Sequence, residues 1–209
     1  MSMSITDKLI EIAQAEWQRW GYSTKGLAGG GSKIAGIESK LPYVAYVNDY
    51  WRAVNQPTWN GNTPQPWSAA FISFCFKQAG AGAHFPYNQG HAGYCSAFIR
   101  KPNAYPGLSL VDPISAAPSV GDLVLAARSG GECVKPPSNY ADALAKLQDG
   151  GWFCSHVDIV VAVRDRQIDV IGGNVANSVT MSTLAAQQDG TLSDPRFSWL
   201  GVIRNTIVR

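Results

Sequence analysis

Three residues fall along this chain in an order that could support nucleophilic hydrolysis: Ser68 in WSAAFIS, His156 in SHVDIVVAV and Asn174 in GGNV. Ser68 stands where an apolar helix should begin. There the unpaired backbone N–H groups and the helix dipole favour developing negative charge. A nucleophile so placed gains a lowered pKa or a ready-made oxyanion site. Taken alone, Ser68 would first be read as a helix cap, because Ser is a preferred cap residue. His156 shifts that balance. It opens a β-branched apolar strand, where an imidazole needs hydrogen-bond partners on both nitrogens. Asn174 lies across from His156 if the intervening turn has three residues, whereas a turn of two or four brings Val175 there. An Asn beside the imidazole would hold its tautomer, completing a nucleophile–base–orienter set. Asp158 shares the His156 face of its strand and is the second choice for that role.

Other candidates carry less. His84 and His91 lie in HFPYNQGH and could join His156 around a metal, but no HExxH pattern supports this, so neither metal nor cofactor is expected. His91 is expected to line the substrate cleft. Cys75 lies two turns beyond Ser68 on the same helix face and is expected to be a core thiol. Glu16 is the one candidate acid for cleavage of a glycan, with a solvated helix glutamate as the expected outcome.

The elements that must position these residues are legible in outline. Ile5 to Trp20 carries an amphipathic stripe of Leu9, Ile12, Ala13, Trp17 and Trp20, stopped by Gly21. Residues 22–36 are glycine-rich and predict a flexible connection. A second helix is predicted from Pro42 to Val54. Pro66 suits a helix entrance, and Ala69 to Ala79 is apolar almost all round, so this helix should be buried. Residues 83–119 read mainly as loop, with a short helix around Ala92 to Ile99. Strands are predicted at Gly121–Ala127, Ser155–Val163, Gln167–Val175 and Trp199–Val208, with a tight RDR turn between the middle pair. A helix at Tyr140–Gln148 falls within an insertion over residues 128–151. Helices first and an antiparallel sheet afterwards make an α+β layout, a single domain with a helical part over 1–59 and a catalytic core over 60–209.

Composition excludes several classes. The chain has 209 residues, 45% hydrophobic and 15% charged, which favours a folded globule with a large core. The formal net charge is +2 and the cations are scattered, so neither nucleic acid nor a membrane surface is expected as a partner. Seven Trp and eight Tyr exceed ordinary core needs and often line grooves for extended or sugar-containing substrates. The N-terminus lacks an apolar stretch of signal-peptide length, and no run is long enough to span a bilayer; a soluble monomer that bypasses the general secretory route is expected. The four cysteines form no CxxC pair, which argues against structural zinc. Two disulfides and four reduced thiols are both compatible with the count. Cys133 and Cys154 bracket the insertion and are expected to bridge it.

Four short motifs in order resemble the bacterial cell-wall amidases and peptidases of the NlpC and CHAP type, which have a papain-like fold. They are Trp67-Ser68-Ala69-Ala70-Phe71-Ile72-Ser73, Gly121-Asp122-Leu123, His156-Val157-Asp158-Ile159-Val160 and Gly173-Asn174. The resemblance spans residues 60–208. It implies a papain-like α+β hydrolase acting on amide bonds of peptidoglycan, with Ser68 as nucleophile, His156 as base and Asn174 as orienter. Trp67 and Ala69 would flank the oxyanion site. Two positions depart from the pattern. The nucleophile of such enzymes is normally Cys, and Gly172 stands where CHAP-type domains often carry an acid. Ser68 is compatible with a Cys-to-Ser change, with a native serine amidase or esterase, or with a cell-wall-binding module that has lost catalysis. A bare catalytic domain without a leader fits a toxin delivered to a rival's periplasm by a specialised secretion system such as type VI, with a cognate immunity protein, or a phage-type lysin.

Overall fold

A computed structural model describes residues 3–129 and 133–208. Among these residues the chain forms α1 (Ile5–Arg19), β1 (Ser23–Lys25), β2 (Ser32–Lys33), α2 (Tyr43–Ala53), α3 (Ser68–Ala79), α4 (His91–Arg100), β3 (Leu108–Val111) and β4 (Leu123–Ala127). They are followed by α5 (Tyr140–Gln148), β5 (Ser155–Arg164), β6 (Gln167–Val175), β7 (Ser178–Ala185) and β8 (Trp199–Asn205). The architecture is α+β, with one mixed sheet in the order β2-β1-β7-β6-β5-β4-β8-β3. No helix among the described residues is long and apolar enough to cross a membrane.

The expectation of a purely antiparallel sheet needs correction, because β1 pairs parallel to β7. Both strands come from segments whose sequence hid them. Residues 22–36 read as a connection, yet Ser23–Lys25 adds to the sheet edge beside β7. The polar side chains that masked the pairing satisfy one another: Ser23 and Ser178 share a buried hydroxyl–hydroxyl hydrogen bond of 2.8 Å, and the Ala35 amide donates to Ser23 Oγ. The interval read as loop over 83–119 likewise contains β3, paired with β8.

Alternation along the central strands divides the core. Leu123, Leu125, Val157, Ile159 and Ile171 face the helices and join the larger apolar cluster with α1, α2 and α3. Val124, Val160, Val170 and Val202 face the opposite side, where Leu184, Ala186 and Leu192 cover them. Helix α3 packs on β5 and β6 and is flanked by α1 and α2, so nearly every side chain in it is buried. It stops at Gly80, which adopts the left-handed conformation at the C-cap. Asp122 ties the start of β4 to the end of β8, its carboxylate accepting from Arg204, from the Asn205 amide and from the Ser119 amide.

Cys133 and Cys154 form a disulfide across 21 positions of sequence, as their bracketing of the insertion predicts. Cys75 and Cys95 are free and buried, and burial pushes both thiols well above the usual range. Closing a loop of this length stabilises by about 3 kcal/mol in the chain-entropy account. Thiol titration of the unfolded, unreduced protein should therefore find two reactive groups; four would contradict the bridge.

Candidate functional site

Ser68 is the first residue of α3, and Trp67, not Ser68, occupies the cap position; no side chain caps this helix. The cap reading of Ser68 thus fails, and its hydroxyl is committed elsewhere. Ser68 Oγ lies 2.7 Å from His91 Nε2. The amides of the first turn, Ser68 and Ala69 among them, have no partner within the helix. Ser68 and Ala69 line a cavity of about 630 Å³, together with His91, Arg128, Trp152 and the disulfide. Ser68 itself is only 3% exposed.

Packing around the first turn of α3 fixes the place of Ser68. Trp67 stacks between Trp20 and Tyr50, with ring centroids 5.3 and 5.4 Å away, and its indole N–H donates to Glu38. Tyr50 in turn donates to Glu16, which also pairs with Arg19. Glu16, the glycan-cleavage candidate, is therefore a buried acceptor behind the site, and it does not line the cavity. On the other side Gly173 of β6 lets the turn come close: a Cβ there would meet Phe71 Cγ at 2.6 Å and Trp67 at 2.7 Å.

His91 opens α4, and Tyr94 one turn later lies on the same face. His91 Nδ1 is 2.6 Å from the Tyr94 hydroxyl. Two tautomers satisfy this chain of contacts. In one, Tyr94 donates to Nδ1 and Nε2–H donates to Ser68. In the other, Nδ1–H donates to the Tyr94 oxygen and Nε2 accepts the Ser68 proton, which is the arrangement of a general base. Burial, then the neighbouring His156 and Arg128, hold His91 well below the usual histidine range, so it is a neutral imidazole at pH 7. Burial also keeps the Tyr94 phenol protonated by raising its pKa. Helix α4 is held to α3 through Ser73, whose hydroxyl donates to the Asn88 carbonyl and accepts from the Asn88 amide.

The sequence reading gave the Ser68 contact to His156. In the structure that hydrogen bond is made by His91, because the Ser73–Asn88 tie brings the start of α4 over the start of α3. His156 is a near neighbour, its ring centroid 5.8 Å from that of His91. Its partner also differs from the expected Asn174. His156 Nε2 is 2.8 Å from Asp158 Oδ1, and among the described residues Asn174 makes no side-chain hydrogen bond to it. The RDR turn is a two-residue hairpin loop, and a bulge after Val160 shifts the register back by one. The paired ladder nevertheless ends at Ile159–Ile171, short of position 174. Asn174 sits in a second bulge at φ 60°, leading into a turn in which Ala176 and Asn177 also have positive φ. Asn tolerates that conformation better than most residues, which accounts for it without an orienting role.

Gly172 makes room for the acid beside His156. The Asp158 carboxylate fills the space above it: a Cβ at 172 would overlap Asp158 Oδ1 and approach His156 Nε2 to 3.1 Å. The acid beside this imidazole comes from β5 itself, and the neighbouring strand yields the room. His84 is exposed, on a short turn. Among the described residues no group of three His, Cys, Asp or Glu could hold a metal ion.

Residues 55–205 match a bacterial family described as "Uncharacterized protein conserved in bacteria (DUF2272)". The match contains Ser68, His91, His156 and Asp158 and leaves out α1 and α2. No curated protein and no solved structure matches the chain.

Gly172→Ala should expel Asp158 from its place beside His156 while the sheet persists. The imidazole ¹⁵N spectrum of His156 should then move in the same direction as in Asp158→Asn. A spectrum identical to that of the unmodified protein would contradict this account of Gly172.

Proposed function

We propose that this chain, which belongs to the bacterial DUF2272 family, is a papain-like hydrolase that cleaves an amide bond in the peptides of peptidoglycan, with Ser68 as its nucleophile. The observation that carries the reading is the 2.7 Å contact between Ser68 Oγ and a neutral, buried imidazole at an uncapped helix start that faces a cleft. Ser68 Oγ attacks the carbonyl carbon while His91 Nε2 takes its proton. The amides of the first turn of α3 receive the oxyanion. The C–N bond then breaks, His91 returns the proton to the leaving amine, and an acyl-Ser68 ester remains. Water, deprotonated by His91, hydrolyses this ester to the carboxylate and restores Ser68. Tyr94 accepts from Nδ1–H in the productive tautomer, and the His156–Asp158 pair stands beside it as a second site for a proton.

The four motifs in order support the papain-like assignment and the peptidoglycan substrate. The Cys133–Cys154 disulfide supports action in an oxidising compartment such as the periplasm of a target bacterium, where an immunity protein covering the cleft would protect the producer.

Release of soluble muropeptides from purified sacculi is the test. Ser68→Ala should abolish release, and His91→Ala should reduce it by roughly 10²- to 10⁴-fold, the usual contribution of a general base. Should His156→Ala match Ser68→Ala while His91→Ala stays active, the base is His156, as the NlpC/CHAP resemblance implies. Cleavage of a short-chain ester without muropeptide release would make the protein a serine esterase. Binding of sacculi with neither activity would make it a binding module.

The buried state of His91 also sets a pH dependence. A base must be neutral to act, so activity is lost as pH falls through its folded-state pKa, which lies well below 6.5. The acid limb of kcat/KM should therefore fall below pH 6.5, and a limb that stays in place in His91→Gln would mean that another group is the base.

A further inference from the structure

Two adjoining cavities share Trp152, which is 65% exposed between them. The first, of about 630 Å³, contains Ser68 and carries Arg128 on its wall. The second, of about 510 Å³, lies between α4 and the end of the α5 segment and carries Arg100 and Lys101. Three cations along one groove are a marked concentration in a chain whose formal net charge is only +2. The sequence holds no sign of it, because Arg100–Lys101 and Arg128 are separated along the chain; α4 packs on α5 at one end of the groove, and at the other the Arg128 amide donates to the Cys154 carbonyl.

We propose that this groove selects an extended acidic peptide, with Arg128 receiving a carboxylate beside the bond presented to Ser68, Trp152 covering the intervening segment, and Arg100 and Lys101 receiving a second acidic group. The proposal rests on the hydrolase reading and specifies its substrate. A guanidinium presents paired donors that match a carboxylate, which makes Arg the residue suited to a fixed acidic group. Arg100 and Lys101 at the far end are exposed, as Arg128 is, so salt weakens each of these charge contacts. Arg128 is close enough to His91 for its charge to add, after burial and His156, to the lowering of the imidazole's proton affinity. A bound carboxylate would offset that effect, so occupancy of the groove and the basicity of His91 are linked.

The test uses synthetic peptidoglycan stem peptides with free carboxylates and the same peptides with those carboxylates converted to carboxamides. KM and kcat are measured for the unmodified protein, Arg128→Gln, Arg128→Lys and the double variant Arg100→Gln/Lys101→Gln. The acid form should be preferred through KM by about tenfold, the effect of one charge-assisted hydrogen bond. Arg128→Gln should remove most of the KM preference and leave the part carried by Arg100 and Lys101, Arg128→Lys should restore some of what is lost, and the double variant should lower the preference more at low salt than at high salt. Equal KM values for the two forms in the unmodified protein, or an equal loss on both in Arg128→Gln, would overturn the proposal and leave the hydrolase reading intact. If no peptide is cleaved, the hydrolase reading falls, and calorimetric binding of the two forms to Ser68→Ala decides the groove separately. Tighter binding of the acid form supports acidic recognition, and equal binding overturns it.

Discussion

The first turn of α3 can lie directly against β6 because position 173 has no side chain. Any Cβ there would push into Phe71 and Trp67, the residues that bracket Ser68 in the turn. Everything at the site follows from that approach. It sets the uncapped amides of α3 at the floor of the cleft, and it lets β5 deliver His156 and Asp158 alongside. The adjacent glycine acts by the same means on the other partner, since the space at 172 is what Asp158 occupies. Two consecutive glycines thus seat a helix and a carboxylate.

On the far side, the N-terminal helices complete the support. Trp67 is gripped by Trp20 from the end of α1 and Tyr50 from α2, and the polar atoms of this aromatic stack are satisfied by Glu16 and Glu38. Buried carboxylates are costly unless fully partnered. Here Tyr50 and Arg19 partner the buried Glu16, and the half-buried Glu38 accepts from the Trp67 indole. Helices α1 and α2 lie outside the family-matched residues, yet they hold Trp67, the residue preceding Ser68, in place. Hydrolysis at Ser68 would depend on both parts of the chain, although the chemistry would sit in one.

Much of this was legible from the sequence because local signals were strong. The all-round apolar run after Ser68, with Pro66 before it and Gly80 behind it, could only be a buried helix. The β-branched runs of β5 and β6 could only be central strands. The Cys133–Cys154 bridge followed from two cysteines bracketing an insertion. The failures were long-range. Strand β7, with its Ser and Thr content, and β1, in a glycine-rich segment, have little apolar pattern of their own; β7 is held by pairing with β6, and β1 adds to the other edge of β7. The contact of His91 with Ser68 depends on Ser73 and Asn88 tying two helices together, which no spacing reveals. A histidine followed one turn later by tyrosine at a helix start was the available signal. Asn174 misled because its place was judged from turn length alone, whereas the β5–β6 ladder stops at Ile159–Ile171 and Asn174 itself lies in a bulge against β7.

The central claim is that Ser68 is an activated nucleophile whose proton passes to His91. Reaction with a fluorophosphonate probe, followed by peptide mass spectrometry, tests it most directly, because only an activated hydroxyl is phosphonylated at neutral pH. The account predicts one adduct, on Ser68, formed in the unmodified protein and lost in His91→Ala. No adduct on Ser68, or an adduct that forms equally fast without His91, would contradict it.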